Sequence, residues 1–320
     1  MDFFNFEGKK ISKMCLGTMM FGSRCDESES KKIVDYSLDN GVNFFDVAES
    51  YNKGLSEEIL GKALASKRKQ SIIVTKGHIS DKESLTEKVE KSLKRLKTDY
   101  LDFYLIHWPK KNMNVEKIMR ELDNIVQSGK VRFLGCSNYP LWLFLYSNEV
   151  AIAESLQTFK FWQFPYNLIE RGAEVEMLPS AYIHDTIVVT YRPLVMGFLS
   201  GKYEFDLPIP KDSRGTDDER LAELLSKYGK GLSKFLDFAK QKNIHPVHLA
   251  LAWVRYNKAV TSTIVGVSSL KQLEATIKSF NFSLSEEEYQ TVTSFFDTEV
   301  KEESLGKFKS LRRSLDLLGE

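Results

Sequence analysis

The chain has 320 residues, with 45 Lys and Arg against 44 Asp and Glu, which gives a formal net charge of +1. With 42% hydrophobic, 28% charged and 12% aromatic residues, it has the composition of a soluble globular protein with a large core. The balanced charge argues against nucleic acid or a membrane surface as a partner, and no window approaches the ~20 apolar residues needed to span a bilayer.

Eight short apolar segments are predicted as strands. Each is rich in β-branched or aromatic residues and almost continuously apolar, which is typical of strands buried on both faces of a parallel sheet. In chain order they are residues 13–18, 42–47, 71–76, 101–107, 131–137, 161–164, 186–191 and 261–266.

Amphipathic helices are predicted between these strands. Residues 28–40 end before Asn40-Gly41, a helix stop, and residues 83–97 carry one apolar stripe. The basic run KRKQ at 67–70 is interpreted as a solvated helix end. The other predicted helices lie around Glu57 and at 114–127, 173–182, 232–241, 245–257, 269–278 and 284–296.

The spacing of the strand ends predicts the fold. Asp46, Lys76, His107 and Ser137 follow one another at intervals of 30, 31 and 30 residues. One βα unit takes about 30 residues, so eight strands with intervening helices predict an α/β fold, a closed (β/α)8 TIM barrel. We expect a single domain over 1–320, with an N-terminal cap segment and an extra C-terminal helix or tail.

An open doubly wound sheet is the alternative architecture. Such a sheet would bind a dinucleotide through a G-x-G-x-x-G turn after an early strand. No such motif occurs in the sequence, so the barrel is the better prediction.

The N-terminus and the cysteines bear on the compartment. The first residues, MDFFNFEGKK, lack the basic start and apolar stretch of a signal peptide. Cys15, Cys25 and Cys136 are odd in number and widely spaced, and buried free thiols are expected. We therefore predict a cytoplasmic protein, and we expect no metal site.

Polar residues end several of the predicted strands. Catalytic groups of a (β/α)8 barrel lie at the C-terminal strand ends and in the loops that follow. Asp46, Lys76 and His107 occupy such positions, and Tyr51 lies in the loop after Asp46. Each residue alone has an ordinary structural explanation, such as a helix cap or a surface charge, but together they suggest a catalytic set.

This combination suits the reduction of a carbonyl group. A phenol with an ordinary pKa of about 10 is a poor proton donor near neutrality, and a nearby ammonium lowers that pKa. We therefore predict Tyr51 as the acid/base and Lys76 as the group that tunes it. Asp46 anchors Lys76, and His107 polarises and positions the carbonyl.

The chain resembles the aldo-keto reductase superfamily over nearly its whole length. The matching segments keep the family's order: CLGTMMFG (15–22), GVNFFDVAESY (41–51), IIVTKG (72–77), LDFYLIHWP (101–109), VRFLGCSN (131–138), QFPYNLIER (163–171), YRPLVMGFLSGKY (191–203) and TIVGVSSLKQLEATI (263–277). The resemblance implies a (β/α)8 barrel, an extended NAD(P)H across its rim and the Asp46, Tyr51, Lys76 and His107 tetrad.

The resemblance also implies cofactor contacts, which fall into four groups along the dinucleotide. At the nicotinamide end they are Gly17, Thr18, Met19 and Asp46. A second group serves the nicotinamide carboxamide and ring, with Ser137, Asn138 and Gln163 for the carboxamide and Tyr191 stacked on the ring. On the pyrophosphate side they are Arg192, Leu194, Gly197, Ser200 and Lys202, with Arg214 over the adenosine phosphates. The adenosine turn and helix start contribute Gly266, Ser268 and Gln272.

The adenosine end departs from the family pattern. Ala275 and Thr276 replace a frequent Glu-Asn pair, and Ser268 and Ser269 stand where an Arg often contacts the ribose 2′-phosphate. Arg192 replaces a frequent Ser. NADP(H) is favoured by the resemblance, and NAD(H) is the alternative cofactor.

The expected substrate is a small carbonyl compound or a sugar. The resemblance places Phe21, Tyr51, His107 and Trp108 around it, with Tyr139 and Trp142 as further candidates. A homo-oligomer is compatible with the sequence. Two other functions share the barrel: a nicotinamide-binding regulatory subunit resembling potassium-channel β subunits, and an enzyme of non-redox sugar chemistry.

Overall fold

The fold is built around a closed barrel of eight parallel strands. The computed structural model of the protein describes residues 1–210 and 219–297, so Arg214 and the chain after residue 297 lie outside the described residues. The strands are β3 (Met14–Gly17), β4 (Phe44–Asp46), β5 (Ile72–Gly77), β6 (Leu101–Ile106), β7 (Val131–Ser137), β8 (Phe159–Pro165), β9 (Ile187–Tyr191) and β10 (Ser262–Gly266). Neighbours follow chain order, and β10 closes the ring against β3. The predicted (β/α)8 barrel is confirmed, with strand bounds that differ from the predicted ones by at most two residues.

Helices follow the barrel strands along the chain. They are α1 (Glu27–Asp39), α2 (Leu55–Leu64), α3 (Leu85–Leu96), α4 (Val115–Gln127), α5 (Leu141–Ala153), α6 (Met177–Ile183), α7 (Glu219–Gln241), α8 (Pro246–Tyr256), α9 (Leu270–Ser279) and α10 (Glu286–Ser294). Several begin where a side chain accepts a first-turn N–H, as Asp26 does in α1. Ser84 and Ser285 begin α3 and α10 with full capping boxes.

Helix α5 was not predicted. Its sequence, LWLFLYSNEVAIA, is apolar on every side, so no amphipathic stripe marks it as a helix. Leu143 and Phe144 are buried, while Trp142, Tyr146 and Ile152 are exposed. Tertiary packing therefore fixes a helix that periodicity alone does not reveal.

A short hairpin covers the N-terminal end of the barrel. Strands β1 (Phe3–Phe6) and β2 (Lys9–Ser12) pair antiparallel. Both turn residues between them, Glu7 and Gly8, have positive φ angles of 46° and 73°, as a tight two-residue hairpin requires. Phe6 packs on Phe103, with ring centroids 5.9 Å apart. This hairpin is the predicted N-terminal cap segment.

The barrel interior is filled by large apolar side chains. Phe44, Phe103 and Phe161 are buried and contact one another, with ring centroids 5.1–6.2 Å apart. Burying one such side chain contributes about 1.5–3 kcal/mol, so the barrel is a packed core rather than a pore. Cys15, Cys25 and Cys136 are buried and unpaired, as expected.

The chain divides into two compact units. The first contains the barrel and comprises Met1–Phe164, Glu176–Tyr191 and Ala259–Ile277. Among the described residues, the second is formed by residues 165–175, 192–210, 219–258 and 278–297. Within it, Trp253 on α8 donates to the Thr293 hydroxyl on α10 at 2.7 Å. The single domain over 1–320 stays a prediction.

The described residues form neither a membrane-spanning helix nor a cluster of metal ligands. None of the described helices combines the length and the apolar character needed to cross a membrane. Among residues 1–210 and 219–297, no three His, Cys, Asp or Glu side chains are grouped so as to hold a metal ion.

Candidate active site

The polar residues predicted from the strand ends lie at one end of the barrel. Gly17 is in register with Asp46, Lys76 with Leu105, and Ser137 with Gln163. His107 comes directly after β6, and its N–H donates to the carbonyl of Gly77 at 2.9 Å. Because parallel strands all point the same way, their C-terminal ends bring these side chains together.

An ion pair is buried at the centre of this end. Lys76 Nζ donates to Asp46 Oδ1 at 2.6 Å and to the Val47 carbonyl at 2.8 Å. The Lys76 side chain is 0% exposed. Burial alone would lower the pKa of Lys76, but Asp46 and the neighbouring Tyr51 raise it above its ordinary value. Lys76 therefore stays charged.

Tyr51 is brought to this pair by a strained turn. It begins a 3-10 turn, Tyr51–Gly54, in which Asn52 and Lys53 have φ angles of 50° and 57°. The Asn52 amide anchors the turn by donating to the Phe21 carbonyl at 2.7 Å. Lys76 Nζ lies 5.0 Å from the centre of the Tyr51 ring. Backbone strain of this kind concentrates at functional sites.

The pKa of Tyr51 differs from the expected direction. Burial raises it above its ordinary value, and Asp46 acts in the same direction, while Lys76 lowers it. The net shift is upward because the loss of hydration outweighs the ammonium. The expectation of a lowered phenol pKa was therefore wrong in its net sign, although Lys76 acts as expected.

His107 is held as a neutral imidazole. Burial, followed by the charge of Lys76 and then His78, lowers its pKa to about 2. Its ring meets the Tyr51 ring edge-on, with centroids 6.0 Å apart. Its Nδ1 is buried and has no hydrogen-bond partner among the described residues. A neutral imidazole carries one N–H, which it can donate to a carbonyl oxygen.

Amide and hydroxyl groups continue from this set across β7, β8 and β9. Gln163 Nε2 donates to Asp46 Oδ1 at 2.9 Å, and Ser137 donates to Gln163 Oε1 at 3.3 Å. Asn138 Nδ2 donates to the His107 carbonyl at 3.0 Å, while its Oδ1 accepts the Tyr191 hydroxyl at 2.6 Å. Asn138 has a left-handed backbone with a φ of 63°. These four side chains, of Ser137, Asn138, Gln163 and Tyr191, include both hydrogen-bond donors and acceptors beside the tetrad.

The predicted residues around the first loop differ in accessibility. Thr18 is buried, and its hydroxyl donates to the Asp46 carbonyl at 2.9 Å. Met19 and Trp108 are exposed, Trp108 to 51%. Phe21 is 0% exposed, so its side chain forms no open pocket wall in this structure. The Asn52 amide donates to the Phe21 carbonyl at 2.7 Å. Tyr139 is also buried.

The residues expected on the pyrophosphate side lie in the second unit. Arg192 and Lys202 are exposed there, and Leu194 is half-buried. The Ser200 hydroxyl donates to the Gly197 carbonyl at 2.6 Å. Gly197 has a φ of 101°, which favours glycine. Their contact with a cofactor stays a prediction.

The turn before α9 belongs to the first unit and is internally bonded. Gln272 Oε1 accepts the N–H of Ser268 at 2.8 Å, and Gly266 is exposed. The N–H of Leu270 donates to Glu29 Oε1 at 2.8 Å. A carboxylate from α1 therefore accepts a hydrogen bond in the first turn of α9, where the sequence predicted contact with the adenosine end.

Sequence reasoning missed Glu49 and His78. His78 follows Gly77 and lies beside His107, with ring centroids 4.7 Å apart. Gly77 is required here because the hydroxyl of Tyr104 lies 2.0 Å from where a Cβ would be. Glu49 Oε1 accepts the N–H of His78 at 2.9 Å. A polar residue two positions past Lys76 was the available signal for His78.

Comparisons with known proteins agree with this geometry. The model of the Aldo/keto reductase family matches residues 13–297. An uncharacterized oxidoreductase, YrpG of Bacillus subtilis, is 34% identical over 310 residues, covering 90% of this chain and 93% of its own length. Norsolorinic acid reductase of Aspergillus flavus is 29% identical over 310 residues, covering 89% of this chain and 78% of its own.

A solved structure is similar as well. The glycerol dehydrogenase of Gluconobacter oxydans superposes with a TM-score of 0.78 at 29% identity, covering 93% of this chain and 96% of the other. The match of the family model spans nearly the whole barrel sequence. The chain therefore belongs to the aldo/keto reductase family, whose chemistry is nicotinamide-dependent carbonyl reduction.

Proposed function

We propose that the protein interconverts an aldehyde or ketone and its alcohol with Tyr51 as the acid/base. The observation that carries the proposal is the buried Lys76–Asp46 pair, 2.6 Å apart, beside the Tyr51 ring and the neutral His107. Burying an ion pair seldom stabilises a fold, because lost hydration offsets the attraction. A pair of this kind next to a phenol is better explained by catalysis.

The chain's own residues supply the proton and hold the carbonyl. A nicotinamide, when bound beside these residues, would supply the hydride that the carbonyl carbon receives. His107 donates a hydrogen bond from Nε2 to the carbonyl oxygen, which orients it and stabilises the charge developing there. Tyr51 gives its proton to that oxygen, and Lys76 stabilises the phenolate that remains. Asp46 keeps Lys76 charged and in place.

The residues beside the tetrad fit a nicotinamide ring. Its carboxamide both donates and accepts hydrogen bonds, and Ser137, Asn138 and Gln163 provide both kinds of partner. Tyr191, at the end of β9, has an aromatic ring that could stack on the nicotinamide ring. These residues would hold the ring against Asp46 and Tyr51.

We propose that NADH is bound at least as well as NADPH. Glu29 accepts the Leu270 N–H in the first turn of α9, near Ser268, where relatives often place an Arg for the 2′-phosphate. A phosphate there would meet a like charge. The position of the Glu29 carboxylate supports this proposal over the NADPH preference that the family resemblance suggested.

Replacing Tyr51 by Phe tests the catalytic proposal. Removal of the hydroxyl takes away the proton donor, so kcat/KM on a panel of aldehydes and ketones should fall by about 10²–10⁴-fold. Cofactor affinity, measured by titrating NADH or NADPH fluorescence, should change less than about twofold, since the ring remains.

Tyr146→Phe is the matched control. The Tyr146 hydroxyl is exposed on α5 and donates to Glu116 at 3.0 Å, so its loss should leave turnover unchanged. Wild-type rates in Tyr51→Phe would show that another group supplies the proton. No binding of either nicotinamide by the wild type would overturn the proposed function itself.

A further inference from the structure

A second imidazole stands beside His107, and the tetrad does not use it. The rings of His78 and His107 lie 4.7 Å apart between centroids and are tilted by 42°. The His78 side chain is 44% exposed. Within the part of the chain that the structure describes, its ring makes no hydrogen bond. His78 therefore presents an unused polar atom next to the group that would hold the substrate carbonyl.

Glu49 fixes the position of His78. Its Oε1 accepts the backbone N–H of His78 at 2.9 Å and lies 3.7 Å from the ring Nδ1 of His78. Lys88 Nζ donates to the same oxygen at 3.0 Å, which anchors the carboxylate. A carboxylate facing Nδ1 favours the proton on that nitrogen. In a neutral ring, Nε2 is then left as a hydrogen-bond acceptor.

The two rings therefore offer opposite polarity. His107 is neutral and donates from Nε2, as argued for the carbonyl oxygen, while a neutral His78 with its proton on Nδ1 accepts at Nε2. Two oxygens on adjacent carbons can each form a hydrogen bond of roughly 2.7–3.2 Å with rings whose centroids are 4.7 Å apart. A carbonyl oxygen only accepts, and a neighbouring hydroxyl can donate. The pair of rings matches that pattern.

We propose that His78 is a substrate-contacting residue that selects carbonyl compounds with a hydroxyl on the adjacent carbon. The corresponding alcohols are vicinal diols. This inference rests on the proposed function, because it needs His107 to hold the carbonyl. It assigns Glu49 as the positioning residue that presents Nε2 of His78 to the hydroxyl.

Three ketones of one chain length test the proposal. Butanone lacks a hydroxyl, 3-hydroxybutanone has it next to the carbonyl, and 4-hydroxybutan-2-one has it one carbon farther away. For each ketone, kcat/KM is measured in wild type and in His78→Phe, which keeps a ring against His107 but removes the acceptor. Comparing the same ketone in two proteins cancels its intrinsic reactivity.

His78→Phe should lower kcat/KM for 3-hydroxybutanone by roughly 3- to 10-fold, the value of one hydrogen bond. Butanone and 4-hydroxybutan-2-one should change by less than about twofold. Their retained turnover also shows that the variant is folded. His184→Phe, which alters an exposed histidine at the end of α6, controls for an added surface phenylalanine and should change none of the three.

Two results would overturn the inference. One is an equal change in all three ketones, which would make His78 a packing residue only. The other is an unchanged preference for 3-hydroxybutanone in His78→Phe. Failure of the proposed function looks different, because the wild type would then reduce none of the ketones with either nicotinamide.

Discussion

The two ends of the barrel differ in how completely their buried polar groups are hydrogen-bonded. At the N-terminal end, Asp102 is fully partnered. Its Oδ1 accepts from Lys9 at 2.8 Å and Arg132 at 2.9 Å, and its Oδ2 accepts from Arg68 at 2.8 Å and from the Ile73 N–H at 3.1 Å. These contacts join the hairpin to three barrel strands or their neighbouring loops.

At the C-terminal end of the barrel, some polar groups have hydrogen-bonding atoms without a partner among the described residues. His107 Nδ1 has no partner among the described residues, and the ring of His78 makes no hydrogen bond there. Asn52 and Asn138 hold left-handed backbones. At the N-terminal end of the barrel the buried carboxylate thus has all its hydrogen bonds. At the C-terminal end some hydrogen-bonding atoms have no partner among the described residues, and the backbone is strained. In barrels of this kind, the first arrangement serves stability and the second chemistry.

The largest expected effect on stability comes from removing the Asp102 carboxylate at the N-terminal end of the barrel. Asp102→Ala leaves three cations without their shared carboxylate, so the free energy of unfolding should fall by about 3 kcal/mol, the lower end for a broken buried pair. Urea denaturation measures this loss. The kcat/KM of the folded variant should stay within about twofold of wild type, since the active end is untouched.

Asp35→Ala is the control for Asp102→Ala. Asp35 pairs with Lys31 and Lys67 at a half-exposed position, so its loss should cost at most about 1 kcal/mol. A large fall in turnover of folded Asp102→Ala would mean that the two ends are coupled.

The sequence pattern predicted the contacts at the N-terminal end of the barrel poorly. The run at 67–70 was expected to be a solvated helix end, and for Arg68 this is wrong. Arg68 is half-buried, donates to Asp102 and stacks 3.9 Å from the centre of the Tyr100 ring. Its partner lies 34 residues away, and local charge patterns carry no information about such distant contacts.

The active end was predicted better, for a physical reason. Asp46, Lys76 and His107 each interrupt an apolar run at regular spacing, so the barrel geometry alone brings them together. Phe21 and His78 lie in loops, whose paths depend on specific contacts such as those of Asn52 and Glu49. Apolar type suggested a pocket wall for Phe21; its side chain is buried, and its contact with a substrate stays a prediction.

A smaller effect is expected from acid, through His107. Its pKa of about 2 in the folded protein lies below the ordinary value of about 6.5 that it regains on unfolding. Below about pH 6.5 the unfolded chain binds a proton that the folded one does not, so stability falls as the pH falls. The loss approaches about 1.4 kcal/mol per pH unit well below pH 6.5 and becomes negligible above it.

His107→Asn should therefore lose less stability than wild type between pH 6.5 and 4.5, by about 2 kcal/mol over that interval. Urea denaturation at several pH values measures the difference, which cancels other titrating groups. His184→Asn, at an exposed position, should follow the wild-type curve. Parallel curves for wild type and His107→Asn would show that the buried imidazole has no such cost.

The smallest expected effect concerns Glu29, which lies between the first turns of α1 and α9. Its carboxylate accepts the Leu270 N–H, and Lys32 is 3.8 Å away. Glu29→Gln keeps an acceptor but removes the charge, so NADPH affinity should rise by about threefold relative to NADH, as for a partly exposed charge. Fluorescence titrations with both nucleotides measure the ratio, and added salt should shrink the difference by screening. An equal change for both nucleotides would place the 2′-phosphate away from this helix end and leave Glu29 as a structural cap.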